Sequence, residues 1–203
     1  MAEEHIFIDS GELKIEGFLE DLPGDRGVVV THPHPLYGGE MRNNVVEALV
    51  QAYREKGYST LRINFRGVGR SQGKHDNGIG EQEDVRAALT YLSDLNKKNI
   101  DLAGYSFGAW VNALGLESFE KVSRMVMVSP PVNFIDFSFL TSNIKIKLVI
   151  VGTNDDIAGA KAVEEMLPAW NPEALFRTIR GADHFYWGKT DELKSIINDF
   201  LGE

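Results

Sequence analysis

Ile100-Asp101-Leu102-Ala103-Gly104-Tyr105-Ser106-Phe107-Gly108, followed by an apolar run to Leu116, is the stretch on which the reading of this chain turns. Residues 100–103 read as a strand and residues 107–116 as a helix. Between them Gly104 and Gly108 bracket Ser106 in a G-x-S-x-G pattern. The bare pattern is weak evidence, because two glycines and a serine recur by chance. Set between a strand and a helix it acquires a mechanical sense. Small flanking residues let strand and helix approach closely on a sharp turn, and the free N–H groups at the helix start face any negative charge that develops on the serine's target. The plainer alternative is a strand–helix turn whose serine only caps the helix.

Working outward, the chain alternates between short apolar runs and helical periods. Residues 6–8 and 13–18 flank Asp9-Ser10-Gly11-Glu12, a hairpin signal. Residues 27–31 are small or β-branched without polar alternation, as in a strand covered on both faces. Val45, Val46, Leu49, Val50 and Tyr53 give residues 43–55 a helical period. A strand at 60–65 then leads through a glycine-rich loop, 67–80, to a helix at 81–95. Beyond the Ser106 stretch come strands at 125–128, 146–151 and 175–179. Helices are expected at 160–167, stopped by Pro168, and at 192–201. The expected fold is therefore a single α/β domain over residues 1–203. Its eight-stranded, predominantly parallel sheet is covered by helices on both faces, as a three-layer sandwich without a large cap domain.

Composition narrows the function classes. With 21 basic and 30 acidic residues the formal charge is −9, a poor match for nucleic acid or anionic membranes. The chain has no cysteine, which removes disulfides, thiolate nucleophiles and cysteine-based metal sites together. No apolar run approaches a membrane span. The N-terminus lacks the pattern of a signal peptide. The expectation is a cytoplasmic monomer or small homo-oligomer acting on a small molecule.

Serine chemistry needs a base, and of five histidines only His184 lies beyond Ser106, just after the last strand. A neutral imidazole accepts a hydroxyl proton near pH 7. The acid should stand between them in chain order. Asp136, Asp155, Asp156 and Asp183 are candidates. Asp183 abuts His184 and reaches round to Nδ1 with difficulty. Asp155 and Asp156 follow the strand at 146–151, at the same sheet edge as Ser106.

In these features the sequence resembles the α/β-hydrolase fold superfamily, and within it the small lidless serine hydrolases related to dienelactone hydrolase. The resemblance spans nearly the whole chain. It rests on Thr31-His32-Pro33-His34-Pro35-Leu36-Tyr37-Gly38-Gly39, Asn64-Phe65-Arg66-Gly67-Val68-Gly69-Arg70-Ser71, the Ser106 turn, Gly152-Thr153-Asn154-Asp155-Asp156 and Gly181-Ala182-Asp183-His184-Phe185. It implies Ser106 as nucleophile, His184 as base and Asp155, rather than Asp156, as acid, in a cofactor-free esterase or thioesterase. The cysteine nucleophile of the dienelactone hydrolases proper is missing, so their substrate does not transfer. The family's oxyanion donors correspond to the backbone N–H groups of Phe107 and His34. Pro33 and Pro35, beside His34, have no N–H to offer.

Other motifs fail. After Gly67-Val68-Gly69 a dinucleotide loop would need glycine where Gln72 stands, and a Walker loop would need it at Val68. Those glycines serve loop turns, with Arg66 and Arg70 either pairing with carboxylates or meeting an anionic substrate. His32 and His34 form an H-x-H pair without the aspartate and histidine a hydrolytic dizinc site would want, so no metal is expected. The segment 131–144 offers Phe134, Phe137, Phe139 and Leu140 as lining for a substrate pocket or as satellite core. Tyr37, Met41 and Trp187 complete the expected pocket. A serine peptidase or amidase, and an inert scaffold of the same fold, are the alternative functions.

Overall fold

The computed structural model describes residues 3–202. Strands β1 (Glu4–Ser10) and β2 (Leu13–Glu20) form the opening hairpin, followed by β3 (Arg26–Thr31), helix α1 (Asn44–Glu55), β4 (Ser59–Ile63) and α2 (Ile79–Asp94). Then come β5 (Asn99–Tyr105), α3 (Phe107–Gly115), β6 (Val122–Val128), β7 (Ile146–Gly152), α4 (Ala160–Trp170), β8 (Leu175–Ile179) and α5 (Thr190–Gly202). The eight strands make one sheet in the order β1-β2-β4-β3-β5-β6-β7-β8. Pairings with β2 are antiparallel and those from β4 through β8 are parallel.

Alternation along each strand divides the core into two layers. Val29, Leu102, Met127 and Val149 face α2, α3 and α4, where they meet Leu89, Val111, Val163 and Trp170. Val28, Val30, Tyr105, Val126 and Ile150 face α1 and α5, against Leu49, Tyr53, Leu193 and Ile197. Burying each of the larger aliphatic side chains stabilises the fold by about 1.5–3 kcal/mol. A parallel sheet covered on both sides, with no inserted cap domain, is the expected three-layer architecture.

Helix boundaries follow local chemistry. Asn43 caps α1, its side chain accepting the Val45 N–H at 2.9 Å. Helix α2 starts two residues earlier than its apolar period, because Glu81 folds back to accept the N–H groups of Asp76 and Gly78 at 2.8 and 2.9 Å. Pro168 does not stop α4. The helix runs on to Trp170, which is buried, and the Asn171 N–H closes the last turn on the Leu167 carbonyl at 2.9 Å. Near a helix end proline forfeits one bond only, and burial of the indole outweighs it.

Register places the functional edge. Thr31 pairs with Gly104, Tyr105 with Val128, Val128 with Ile150 and Gly152 with Ile179. The loops after β3, β5, β6, β7 and β8 therefore all open at one end of the sheet, where parallel α/β proteins build their sites.

Candidate active site

Ser106 occupies the turn between β5 and α3 with φ 54° and ψ −118°, a left-handed backbone that a side chain tolerates poorly. Its N–H donates to the Val128 carbonyl at 2.9 Å. The flanking glycines are required by contact. A Cβ on Gly104 would stand 2.7 Å from the Ala109 nitrogen, and one on Gly108 would stand 2.7 Å from the Thr31 and His32 carbonyl oxygens. Only bare backbone lets α3 start this close to β3 and β5.

The base arrives from the β8–α5 loop. The His184 Nε2 lies 2.9 Å from the Ser106 Oγ, and its Nδ1 lies 3.0 Å from each carboxylate oxygen of Asp155. The Tyr105 hydroxyl donates to the His184 carbonyl at 2.6 Å, and the Asn154 N–H donates to the Ala182 carbonyl at 2.9 Å, which stitches the acid loop to the base loop. All three side chains are buried, with 4–7% of each residue exposed. A Ser–His–Asp chain of bonds is thus assembled from three strand ends.

Burial opposes ionisation of Asp155, but the His184 ring, the Ser129 hydroxyl and the Ala158 N–H overcome it and hold the carboxyl below its ordinary value. The carboxylate accepts Ser129 Oγ at 2.6 Å on one oxygen, and Ile157 N–H and Ala158 N–H at 2.9 and 2.8 Å on the other. The other acids are spent or remote. Asp156 is exposed, Asp136 binds Ser138, and Asp183 accepts the Phe185 N–H at 3.0 Å.

Among the described residues, neither the Phe107 nor the His34 backbone N–H has an acceptor in the protein. The side-chain rings of the same two residues lie 4.6 Å apart. The His34 Nδ1 accepts the Leu36 N–H at 3.2 Å, which opens a short 3-10 turn at Pro35–Tyr37 and presents the loop to the site. His32 uses both ring nitrogens, Nδ1 donating to the Pro33 carbonyl at 2.6 Å and Nε2 accepting the Phe65 N–H at 3.0 Å. Burial, joined by the nearby His34 ring, depresses it to about 4, so it is a neutral brace with no lone pair left for a metal. Among the described residues no cluster of three or more His, Cys, Asp or Glu side chains is arranged to hold a metal ion. Likewise, no helix among them is long and apolar enough to cross a membrane.

Arg66 forks onto Asp84 with bonds of 2.8–3.3 Å and ties the glycine-rich loop to α2, while the exposed Arg70 holds that loop through its backbone N–H on Glu16 at 2.7 Å.

The expected pocket separates into two groups. Tyr37, Phe134 and Trp187 are exposed by 88%, 74% and 73%, and Phe139 by 38%. Met41, Phe137 and Leu140 are buried instead. Met41 is drawn inward by its backbone, whose N–H binds the Asn64 side chain and whose carbonyl binds Arg62. Phe137 packs on Trp170 with ring centroids 5.4 Å apart, and Leu140 joins the same layer. Segment 131–144 contains no helix. Sequence reasoning missed Ser129 and Tyr186 at the acid and Tyr105 at the base. The signal available for Ser129 was its position, a polar residue closing a buried strand at the functional edge.

No family model matches the chain. It is 39% identical over 209 residues to an uncharacterized protein from Rickettsia prowazekii (strain Madrid E), covering 97% of this chain and 87% of that protein. An α/β serine hydrolase homologue from Coxiella burnetii superposes with a TM-score of 0.91 at 34% identity, covering 99% of this chain and 98% of that one. A lidless α/β serine hydrolase from Xanthomonas campestris gives a TM-score of 0.89 at 29% identity, covering 98% and 93%. Likeness of this extent spans 99% of the chain at 34% identity, and so the chain belongs to the α/β-hydrolase-fold serine hydrolases.

Proposed function

We propose that this protein is a cytoplasmic acyl hydrolase that cleaves a small carboxylic ester or thioester through an acyl-enzyme on Ser106. The observation that carries the reading is the continuous path from Ser106 Oγ through His184 to Asp155, with bonds of 2.9 and 3.0 Å. His184 Nε2 takes the serine proton as Oγ attacks the carbonyl carbon, and negative charge gathers on the carbonyl oxygen. We assign the reception of that charge to the free N–H groups of Phe107 and His34, a stabilisation worth about 3–4 kcal/mol per donor in related sites. Protonated His184 then hands its proton to the leaving oxygen or sulfur. Water, deprotonated by the same imidazole, attacks the acyl-enzyme and releases the acid. Asp155 remains ionised throughout and fixes the imidazole tautomer.

The exposed rings of Tyr37, Phe134 and Trp187 support an open, apolar rim rather than a closing lid. The loop motifs support a place beside the dienelactone-hydrolase-related enzymes. The test is labelling by a fluorophosphonate probe together with turnover of p-nitrophenyl acetate. Wild type should label and turn over, and Ser106→Ala should do neither while keeping its thermal unfolding. Retention of about a tenth or more of kcat/KM in Ser106→Ala overturns the assignment. Amide hydrolysis faster than ester hydrolysis would move it to the peptidases.

A further inference from the structure

Five non-glycine residues among those described have a left-handed backbone: Asn77, Asn96, Ser106, Ser129 and Tyr186. Asparagine tolerates that region, so the first two are ordinary turn residues. The other three converge on one place. Ser129 (φ 47°) closes β6 and Tyr186 (φ 55°) follows His184 by two residues. Neither was needed to draw the Ser–His–Asp path, yet both are strained and fully buried, and their hydroxyls meet behind the acid.

Counting protons settles the direction of the bonds. The Ser129 Oγ has one hydrogen and gives it to Asp155 Oδ2 at 2.6 Å. The 2.7 Å contact between Ser129 Oγ and the Tyr186 hydroxyl must then be a bond donated by the tyrosine. The alternative acceptor for Tyr186, the Ile150 carbonyl, lies at 3.5 Å and is too far to compete. Burial, with the Asp155 charge adding to it, raises the phenol well above its ordinary value, so it stays protonated and able to donate.

We infer that Ser129 and Tyr186 are positioning residues acting in series, a hydroxyl relay that locks the Asp155 carboxylate in the plane His184 needs. Backbone N–H groups pin Oδ1 and the relay pins Oδ2, so the carboxylate cannot rotate away from Nδ1 as the imidazole gains its proton. The left-handed φ at both residues is the local strain that aims the Tyr186 hydroxyl at Ser129 and the Ser129 hydroxyl at Oδ2. This rests on the reading of Ser106 as nucleophile only through its kinetic arm.

The experiment compares wild type, Ser129→Ala, Ser129→Gly, Tyr186→Phe and Ser129→Ala/Tyr186→Phe. Glycine removes the hydroxyl while favouring the left-handed backbone, so it separates loss of the bond from loss of the fold. Both Ser129 variants should lose about tenfold or more in kcat for p-nitrophenyl acetate with KM within about twofold, as expected for a bond to a charged group. Tyr186→Phe should lose about threefold alone and nothing further in the Ser129→Ala background, because the links act in series. The downfield proton NMR signal of His184 Nδ1–H should shift upfield in the Ser129 variants. Ser129 variants within about twofold of wild type, or losses that multiply in the double variant, overturn the relay. If wild type neither turns over ester nor labels with fluorophosphonate, the nucleophile reading fails. The NMR arm then decides alone, and an unmoved Nδ1–H signal overturns the relay.

Discussion

Asp155 and Asp101 are both buried carboxylates facing a basic partner, and they sit at opposite ends of the same sheet. At the N-terminal end of β5, Asp101 receives a two-pronged bond from Arg124 at 2.8 and 3.1 Å, and Arg124 is further held by the Tyr58 hydroxyl. Burial nevertheless wins there, and the Asp101 carboxyl is raised above its ordinary value despite the guanidinium. At the C-terminal end, Asp155 faces only an imidazole, yet its carboxyl is lowered. The difference lies in the count of fixed donors. Asp155 accepts a serine hydroxyl and two backbone N–H groups besides the ring. Oriented dipoles around an oxygen keep it ionised more effectively than one cation whose own desolvation offsets its attraction. One end of the sheet is built to keep a charge available and the other to pin two strands together.

The widest separation should come from Asp155→Asn. It leaves the imidazole in the wrong tautomer and should lower kcat/KM by about 10⁴-fold, the scale of the same change in a serine-protease triad. A loss below about tenfold in steady-state ester assays would put the acid elsewhere.

Asp101→Asn should leave kcat/KM unchanged and destabilise the fold by about 2 kcal/mol, since Arg124 keeps some access to water. The two aspartates should also differ in the sign of their pH dependence. Asp101, raised in the fold, contributes stability that is full below its unfolded value near 3.8 and is lost as pH rises through the folded value. Asp155, lowered in the fold, contributes stability that is full above that unfolded value and is lost as pH falls through the folded one. In urea unfolding from acid to neutral pH, the gap between wild type and Asp101→Asn should narrow as pH rises, and the gap to Asp155→Asn should widen. Two gaps moving the same way would end the contrast.

Asp156→Asn should have the smallest effect, within about twofold in kcat/KM, because its side chain is exposed next to a neighbour that is not. A larger loss than that of Asp155→Asn would reverse the assignment of the acid.

The layered architecture was legible because it depends on periodicity: runs such as Val28-Val29-Val30 and the helical spacing of Val45, Leu49 and Tyr53 each determine their own element. Ser106 was legible because its glycine-bracketed turn between strand and helix is a local fact, and His184 because no other histidine lies beyond Ser106. Choosing Asp155 over Asp156 needed the family pattern, since adjacent residues point in directions that composition does not record. Phe137 and Leu140 show the converse difficulty. An apolar side chain in an irregular segment serves a pocket or a core equally well, and the packing of Phe137 on Trp170 depends on a residue 33 positions away. Tyr186 was illegible for a different reason, because its partner Ser129 lies 57 residues away and both depend on a backbone conformation that their residue types disfavour.

Ser106 and His184 are separated by 78 residues, and Asp155 and His184 by 29. Every strand between them must take its place, by parallel crossovers, before the imidazole can face the serine. Contacts of such sequence separation are late and slow to form in a folding chain. Helices and isolated strand pairs can therefore be present while the chemistry is wholly absent. Ester turnover is a stricter gauge of completed folding for this chain than any spectrum of its secondary structure, and a fragment ending before His184 would be silent however helical it became.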